Sequence, residues 1–431
     1  MVQMKDSGVE WIGVIPSNWE IKKVKHLFFN KKSIPGIFSK KYQRLALTLS
    51  GVVIRNKDDS EGLQPKDFDN YQLINEGNLV FKLIDLQNIS TSRVGLSHYT
   101  GLVSPAYIIL QKLKTSFVNV QFAEYFFLMM WYRAIFNSLG DDGVRSSLNV
   151  GDLLNIPICI PSSQVQNQIA DFLDKKCAEI DSLSEEIQKE IDLLEEYKKS
   201  VITEAVTKGL NPDVEMKDSG VEWIGEIPNE WTTTRLKFLL ENTMKYGAAE
   251  TGVEYSEDLP RYIRITDITT DNKLKENGKL SLTRAQALGY LLEKETILFA
   301  RSGGTVGKTF FYRPQYGEAA FAGYLISATP NKSIVNPKWI YYFTLSNAYW
   351  DWVNRVFTQA TIQNIGADRY SNMQISLPKA LSEQNKISDF LDKKCTEIDK
   401  IISEKHDQLT ILSDYKKSLI YEYVTGKKEV I

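Results

Sequence analysis

The sequence predicts an α+β protein: two mixed α/β domains and two long helices with a coiled-coil stripe, laid out as an internal duplication. Three observations carry that prediction. An amphipathic segment of 42 residues occurs twice, at Gln166–Thr207 and Gln384–Thr425. A leader precedes it twice, at residues 4–28 and 216–240. Between leader and helix, each copy passes through short apolar runs and then a helical stretch.

The first leader reads Met4-Lys5-Asp6-Ser7-Gly8-Val9-Glu10-Trp11-Ile12-Gly13, then Ile15-Pro16 and Trp19. The second repeats it as Met216-Lys217-Asp218-Ser219-Gly220-Val221-Glu222-Trp223-Ile224-Gly225, then Ile227-Pro228 and Trp231. Gly13, Pro16, Gly225 and Pro228 break regular structure, so the leaders are expected to be turns anchored by buried Trp11 and Trp223. The offset between copies is 212 at the leaders and 218 at the helices, so the domains between differ by six residues. A repeat of this length is a duplication.

The domain interiors show little alignable sequence. In the first, Asn78–Ile84 and Ala106–Leu110 read as strands, and Val120–Phe136 as a helix. In the second, Tyr262–Thr266, Thr296–Ala300 and Tyr324–Ser327 read as strands, with a helix from about Pro337 to Val356. Strands followed by a helix predict a mostly antiparallel sheet. Both domains close on a Pro-bounded apolar strand, Ile156–Pro161 and Ile375–Pro378, that runs straight into a long segment. The expected layout is 1–163 for the first domain with its leader, 164–209 for the central helix, 210–380 for the second domain with its leader, and 381–431 for the last helix.

In the first long segment Ile169, Leu173, Cys177, Ile180, Leu183, Ile187, Ile191, Leu194, Tyr197 and Val201 recur at steps of three and four. The stripe is narrow, as in a two-stranded coiled coil, and the obvious partner of one copy is the other. Ser163 with Gln166 has the pattern of a capping box, and Gly209, Pro212 and Gly426 mark the stops. At 1.5 Å per residue each helix is about 63 Å long. In the first eighteen positions, thirteen residues are identical between copies.

The net charge of −2 hides an uneven distribution. Residues 164–215 carry 13 acids and 6 bases; residues 16–163 carry 17 bases and 12 acids; residues 228–380 carry 18 bases and 14 acids. Within residues 20–57, ten Lys or Arg, Lys22 and Lys23 among them, stand beside one acid, Glu20. Such a patch suits a phosphate backbone, and equally a solvated Lys-rich surface. Cys159, Cys177 and Cys395 have no metal-like spacing and fit a reducing, cytoplasmic setting. The longest run of apolar or aromatic residues, Tyr125–Tyr132, is too short to span a bilayer, and no basic-then-apolar signal pattern opens the sequence.

A search for catalytic chemistry finds little. His26, His98 and His406 are scattered away from any metal-ligand spacing. Ser302–Thr309 resembles a phosphate-binding loop, but Ser302 stands where that loop needs Gly, and Thr309–Pro314 reads as a strand rather than a helix. Its glycines fit a tight hairpin; with Arg301 and Lys308 they also fit an approach to nucleic-acid phosphates. Polar runs with Arg145 and Ser146, and with Gln363 and Arg369, hold side chains that pair with base edges. The candidate DNA contacts are Lys22, Lys23, Lys82, Arg93, Arg145, Ser146, Arg264, Arg301, Ser302, Lys308, Gln363 and Arg369.

The paired leaders, the Pro161 and Pro378 strand ends, and the helix opening Gln166-Asn167-Gln168-Ile169-Ala170-Asp171-Phe172-Leu173-Asp174 with its copy at Gln384 resemble the specificity subunit of type I restriction–modification systems. The resemblance covers essentially the whole chain. It implies a non-catalytic subunit with two target recognition domains separated by two long antiparallel coiled-coil helices in a pseudo-twofold arrangement, each domain reading half of a bipartite, asymmetric double-stranded DNA site. It also implies two adenine-methylating modification subunits and, in the full complex, restriction/translocase subunits as partners. S-adenosylmethionine, ATP and magnesium are then expected on those partners, with no cofactor and no membrane contact in this chain. The other readings are a coiled-coil adaptor without DNA contact and a stand-alone nucleotide hydrolase. A salt titration of DNA binding discriminates the first, an ATPase assay the second.

Overall fold

The computed structural model describes residues 3–56, 67–87, 93–140, 147–269, 272–358 and 364–430. The chain forms two compact units, Met1–Ile187 with His406–Ile431, and Gln188–Lys405.

In the first unit the apolar runs become two four-stranded sheets. One has the order Phe28–Asn30, Ile108–Lys112, Leu79–Phe81, Val94–Leu96, all antiparallel. The other has the order Gly51–Arg55, Arg44–Thr48, Gly101–Val103, Gln72–Ile74, with a parallel pair at Arg44 and Leu102. The run Leu79-Val80-Phe81 is apolar throughout because both faces of its strand are covered. Leu79 and Phe81 face the main core, and Val80 faces a second cluster with Leu45, Leu47 and Ile109. The helix Val120–Tyr132 gives the main core Phe122, Phe126, Phe127, Met129 and Met130; Phe127 meets Phe81 edge-on, with centroids 4.9 Å apart.

The second unit repeats this topology despite its unalignable sequence. Lys245–Tyr246, Leu325–Ala328, Ile297–Ala300 and Thr309–Phe311 form one antiparallel sheet in the matching order. Val253–Glu254, Leu280–Ser281, Arg261–Ile263 and Ala319–Phe321 form the other, again with one parallel pair. A bridge from Leu291 to Ala320 stands where the first unit has the strand Gln72–Ile74. The mostly antiparallel α+β expectation therefore holds in both units.

What the duplication kept in sequence is the set of side chains that join each domain to its helix. Gln166, fully buried, accepts the backbone N–H of Asn119 at 2.7 Å and donates to Pro161 O at 2.9 Å. Gln384, also fully buried, accepts from Asn336 N at 2.9 Å and donates to Pro378 O at 2.9 Å. Tyr125 donates to Asp174 at 2.7 Å, and Tyr342 to Asp392 at 2.6 Å. A buried amide left without partners costs about 1–3 kcal/mol, so these residues cannot drift while their surroundings stay packed.

The long helices are Ser163–Lys208 and Leu381–Val424. Within the first unit Phe172 stacks on Tyr423 with centroids 4.4 Å apart, and Lys416 pairs with Asp181 at 2.7 Å. Within the second, Lys198 pairs with Asp399 at 2.6 Å, and Lys405 with Glu190. Rising numbers meet falling ones, so the pairing in each unit is antiparallel. The buried seam runs through Leu173, Cys177, Ile180, Ile187 and Ile191, a repeat near 3.5. Leu183 and Tyr197, expected on the seam, fall outside it and are 45% and 48% exposed. Half-buried Ser184 and Lys198 take the inward positions instead.

Two local expectations are corrected. Ser163 lies inside the helix, with its hydroxyl on Phe117 O; Ser162 is the cap, accepting from Val165 N through its side chain and from Gln166 N through its carbonyl. The leaders are small hairpins, Met4–Asp6 with Val14–Pro16 and Met216–Asp218 with Glu226–Pro228. Their buried tryptophans are Trp19 and Trp231, while Trp11 and Trp223 are only half-buried. Trp11 leans on Phe126 at the edge of the core, 5.9 Å between centroids. Each leader carries the stop of a helix. Gly426, at φ +68°, lies under Pro16 and Trp19, and Gly209, at φ +80°, lies under Trp231.

Candidate nucleic-acid interface

In the second domain, the loop between the strands Ile297–Ala300 and Thr309–Phe311 is a tight hairpin. Gly307 sits at φ +85°, and a side chain there would press on Val353 and Trp350. Its carbonyl accepts the Tyr349 hydroxyl at 2.6 Å. The N–H groups of Val306, Gly307 and Lys308 close bonds within the loop, so they are not offered to a phosphate. Lys308 Nζ donates to Thr269 O, which fastens the loop to the domain. The strand after Lys308 is present as expected, and with it the resemblance to a nucleotide-binding loop ends.

Arg301 behaves differently. Its guanidinium stacks on Tyr246, 4.8 Å from the ring centroid, and its Nε is buried without a hydrogen-bond partner among the described residues. Arg301 O accepts from Ile365 N at 2.9 Å, Ser302 bridges to Asn364, and Asn364 Oδ1 is likewise buried and has no partner among the described residues. Tyr246 OH accepts from Ala367 N at 3.0 Å, at the start of the short helix Ala367–Ser371 that carries exposed Arg369. Tyr324, 65% exposed, accepts from Arg301 N through its carbonyl. The fold thus gathers Arg301, Ser302, Asn364 and Arg369 around two exposed tyrosines. Sequence reading took Tyr324 as a strand residue and passed over Tyr246. Their signal is slight: each Tyr adjoins a Gly, in Tyr246-Gly247 and Gly323-Tyr324. A planar cation held on an aromatic face is suited to base edges and phosphates.

Arg264 and Arg93 are corrections. Arg264 makes a two-point pair with Asp267, at 3.0 and 2.6 Å, and also donates to Gly278 O at 2.8 Å. The bond to Asp267 raises its pKa further above the ordinary value. It caps a turn. Arg93 is 1% exposed and donates to the carbonyls of Ile84 and Asp85, at 3.2 and 2.8 Å. Burial lowers its pKa, and the guanidinium has no open face for a phosphate. A sequence cannot separate such internal cations from surface ones when the carbonyls they serve lie on another turn.

In the first domain, Lys22 lies 4.4 Å from the Phe117 ring centroid and pairs with Glu20 at 2.9 Å. Lys23 is exposed beside it on the strand Glu20–Lys23, and Lys82 is half-buried. Lys31, Lys32, Lys40 and Lys41 stand exposed around the turn Gly36–Lys41. Arg145, Ser146 and Gln363 lie outside the described residues. Among the described residues no group of three or more His, Cys, Asp or Glu is placed to hold a metal, and no helix is long and apolar enough to cross a membrane. The three thiols are free and buried; burial pushes Cys159 up to about 12, and Cys177 and Cys395 up to about 11.

Comparison with known proteins gives a consistent picture. The type I restriction modification DNA specificity domain matches the chain twice, at residues 16–193 and 228–410. The putative type I restriction enzyme MjaX specificity subunit of Methanocaldococcus jannaschii is 25% identical over 238 residues, covering 52% of this chain and 53% of that one. The chain thus aligns with about half the length of that relative. The type I restriction enzyme EcoDI specificity subunit of Escherichia coli is 19% identical over 332 residues, covering 70% of this chain and 69% of that one. A solved chain from work on complex assembly and conformational transition of the type I R-M system superposes with a TM-score of 0.67 at 12% identity, over 96% of this chain and 99% of that one. At that identity the likeness is one of fold.

Proposed function

This chain belongs to the type I restriction–modification DNA specificity family as a specificity subunit, and on that premise we propose that it reads a bipartite, asymmetric DNA site with one domain on each half. One observation carries the reading. Two domains of one topology are held by matching hydrogen bonds, Asn119 to Gln166 and Asn336 to Gln384, yet they present different side chains at their exposed edges. The first edge is lysine-rich; the second gathers Arg301, Tyr246, Tyr324 and Arg369. A constant frame with unlike edges is what two independent readers require.

The division of labour follows from the side chains. Lysines on the first domain and Arg369 on the second meet phosphates, which sets affinity and its salt dependence but not sequence. Arg301, its planar guanidinium oriented by Tyr246, makes a two-point contact with a base edge, where guanine O6 and N7 are the favoured acceptors. The chain performs no bond chemistry in this scheme. It places two adenine-methylating modification subunits, and restriction/translocase subunits in the larger assembly, over the site it has read. S-adenosylmethionine, ATP and magnesium belong to those partners, and the assembly works in the cytoplasm.

The test is reconstitution. The purified chain alone should transfer no methyl group from S-adenosylmethionine, and with its modification partner it should direct adenine methylation to one bipartite sequence. Exchanging residues 229–378 for another such domain should alter one half of that sequence only. Methyl transfer by the lone chain, or a change in both halves, defeats the reading. The absence of salt-sensitive DNA binding would favour the adaptor without DNA contact.

A further inference from the structure

We propose that the turn Gly36–Lys41 of the first domain is an apolar wedge that enters a base step of its half-site, while the lysines around it hold the flanking phosphates. This inference rests on the DNA reading proposed above and adds how the first domain reads.

The turn is a short 3-10 segment entered through Pro35, with Gly36 at φ +57°. Its tip leaves Ile37 77% exposed and Phe38 54% exposed, with Ile34 beside them at 56%. Leaving apolar surface in water forfeits about 25 cal/mol per Å², so three such residues side by side call for a partner. The underside is pinned. Ser39 is 2% exposed and donates to Asp69 at 2.7 Å, and Ser33 O accepts from Leu73 N at 2.7 Å. The apolar face is therefore held outward by the fold.

Charge decides the kind of partner. Lys31, Lys32, Lys40 and Lys41 are exposed on either side of the tip, and Lys41 Nζ lies 5.2 Å from the Phe38 ring centroid. From residue 21 to residue 57 the sequence contains no acid. An apolar tip ringed by cations fits a polyanion with an apolar interior, which describes stacked bases between two phosphate backbones. Wedges of Ile, Phe, Leu, Met or Pro that unstack one base step act in this way, and they favour steps that open at low cost. The half-site read by the first domain should then contain a flexible pyrimidine–purine step and be selected partly by deformability. The second domain, with Arg301 on Tyr246, reads by contact.

The experiment uses the complex with its modification partner on the mapped target. 2-Aminopurine is placed at successive positions through the first half-site, and bending is followed by circular-permutation electrophoresis. The wild type should show a fluorescence rise at one step and a bend of about 20–90°. Ile37→Ala with Phe38→Ala should lose both signals and bind roughly tenfold more weakly or worse, with an unchanged salt slope because the lysines remain. Phe38→Leu should keep most of the bend. Thermal unfolding checks that these exposed substitutions leave the fold intact. A double variant that bends and fluoresces like the wild type overturns the wedge. So does one that binds DNA normally but no longer retains the methyltransferase, which would make the turn a protein-docking surface. If the wild-type complex shows no sequence-selective DNA binding, the reading under Proposed function fails first.

Discussion

Replacing Glu124 with glutamine should remove a pH dependence from the first unit. Glu124 projects from the helix Val120–Tyr132, and its carboxylate accepts Leu96 N–H at 2.7 Å. Burial lifts its pKa from 4.5 to about 7; the Leu96 N–H pulls it down, and the nearby charge of Asp174 pushes it up. The folded protein thus holds this proton more tightly than the unfolded chain does. The associated stability is fully present below pH 4.5 and is lost as the pH rises through about 7. At full linkage that interval corresponds to about 3 kcal/mol, of which about 2 kcal/mol lies between about pH 5.5 and about pH 8.5. Glutamine keeps the acceptor for Leu96 N–H and has no proton to lose. Hydrogen exchange of the Val120–Tyr132 amides, corrected for intrinsic pH dependence, should show wild-type protection falling up to about thirtyfold relative to Glu124→Gln over that range. The second unit supplies an internal control. Asn119 and Tyr125 correspond to Asn336 and Tyr342 in their bonds to the long helices, which places Tyr341 where the first unit has Glu124. Amides of Pro337–Leu345 should show no difference between the two proteins. Parallel loss of protection in wild type and variant would refute the argument.

Other perturbations separate scaffold from reading edge. Gly426→Ala puts a methyl group into the Pro16 ring and 3.0 Å from Trp19, whereas Gly209→Ala meets Trp231 at 3.3 Å; both sit at positive φ. Thermal unfolding should show a loss of about 1–3 kcal/mol for Gly426→Ala and a smaller one for Gly209→Ala, and equal losses would contradict the packing. Arg93→Met should destabilise the first unit by about 3 kcal/mol by stranding buried carbonyls, while Arg369→Ala should leave stability unchanged and lower the salt slope of DNA binding by about one. Arg301→Lys keeps the charge but loses the planar fork; methylation mapping should show one position of the second half-site relaxed, at about 1–3 kcal/mol. One heptad inserted at matching places in both long helices adds about 10.5 Å and should lengthen the unread spacer by about three base pairs without altering either half. A folded, active variant with the original spacer would show that the helices are not the ruler.

The duplication, the two long helices and their glycine stops were legible because they depend on local pattern and on identical residues. The likeness of the two domain interiors was not. A sheet buried on both faces needs only apolar residues of about the right volume, so Leu79-Val80-Phe81 and Ile297-Leu298-Phe299 occupy matching strands while sharing only the final Phe. The seam was misread at Leu183 and Tyr197 because steps of three and four leave one position of choice, and packing made that choice in favour of Ser184 and Lys198. Of the candidate contacts, Arg301 and Arg369 stand at an edge, while Arg264 is taken up by Asp267 three residues on, and Arg93 and Lys308 serve the carbonyls of Asp85 and Thr269, 8 and 39 residues back. Pairings of that kind are set by tertiary distance, which composition does not encode. The aromatic support of Arg301 was missed for the same reason, since Tyr246 arrives from a strand 55 residues earlier in sequence.

The division of the chain into units has a consequence for synthesis. The second unit is continuous, from Gln188 to Lys405, whereas the first joins Met1–Ile187 to His406–Ile431. Its closing bonds are among the longest in sequence: Cys159 Sγ to Val424 O, and Lys427 Nζ to Ile12 O. A ribosome therefore releases everything the second unit needs while the first still lacks part of its core, including Leu419, Ile420 and Val424. The domain made first is the one finished last. Until the final helix emerges, the nascent chain exposes the apolar stripe of residues 169–180, the kind of surface on which chaperones act. A message truncated just after Lys405 would yield a finished second unit attached to an open first one, a product expected to be insoluble rather than half-functional.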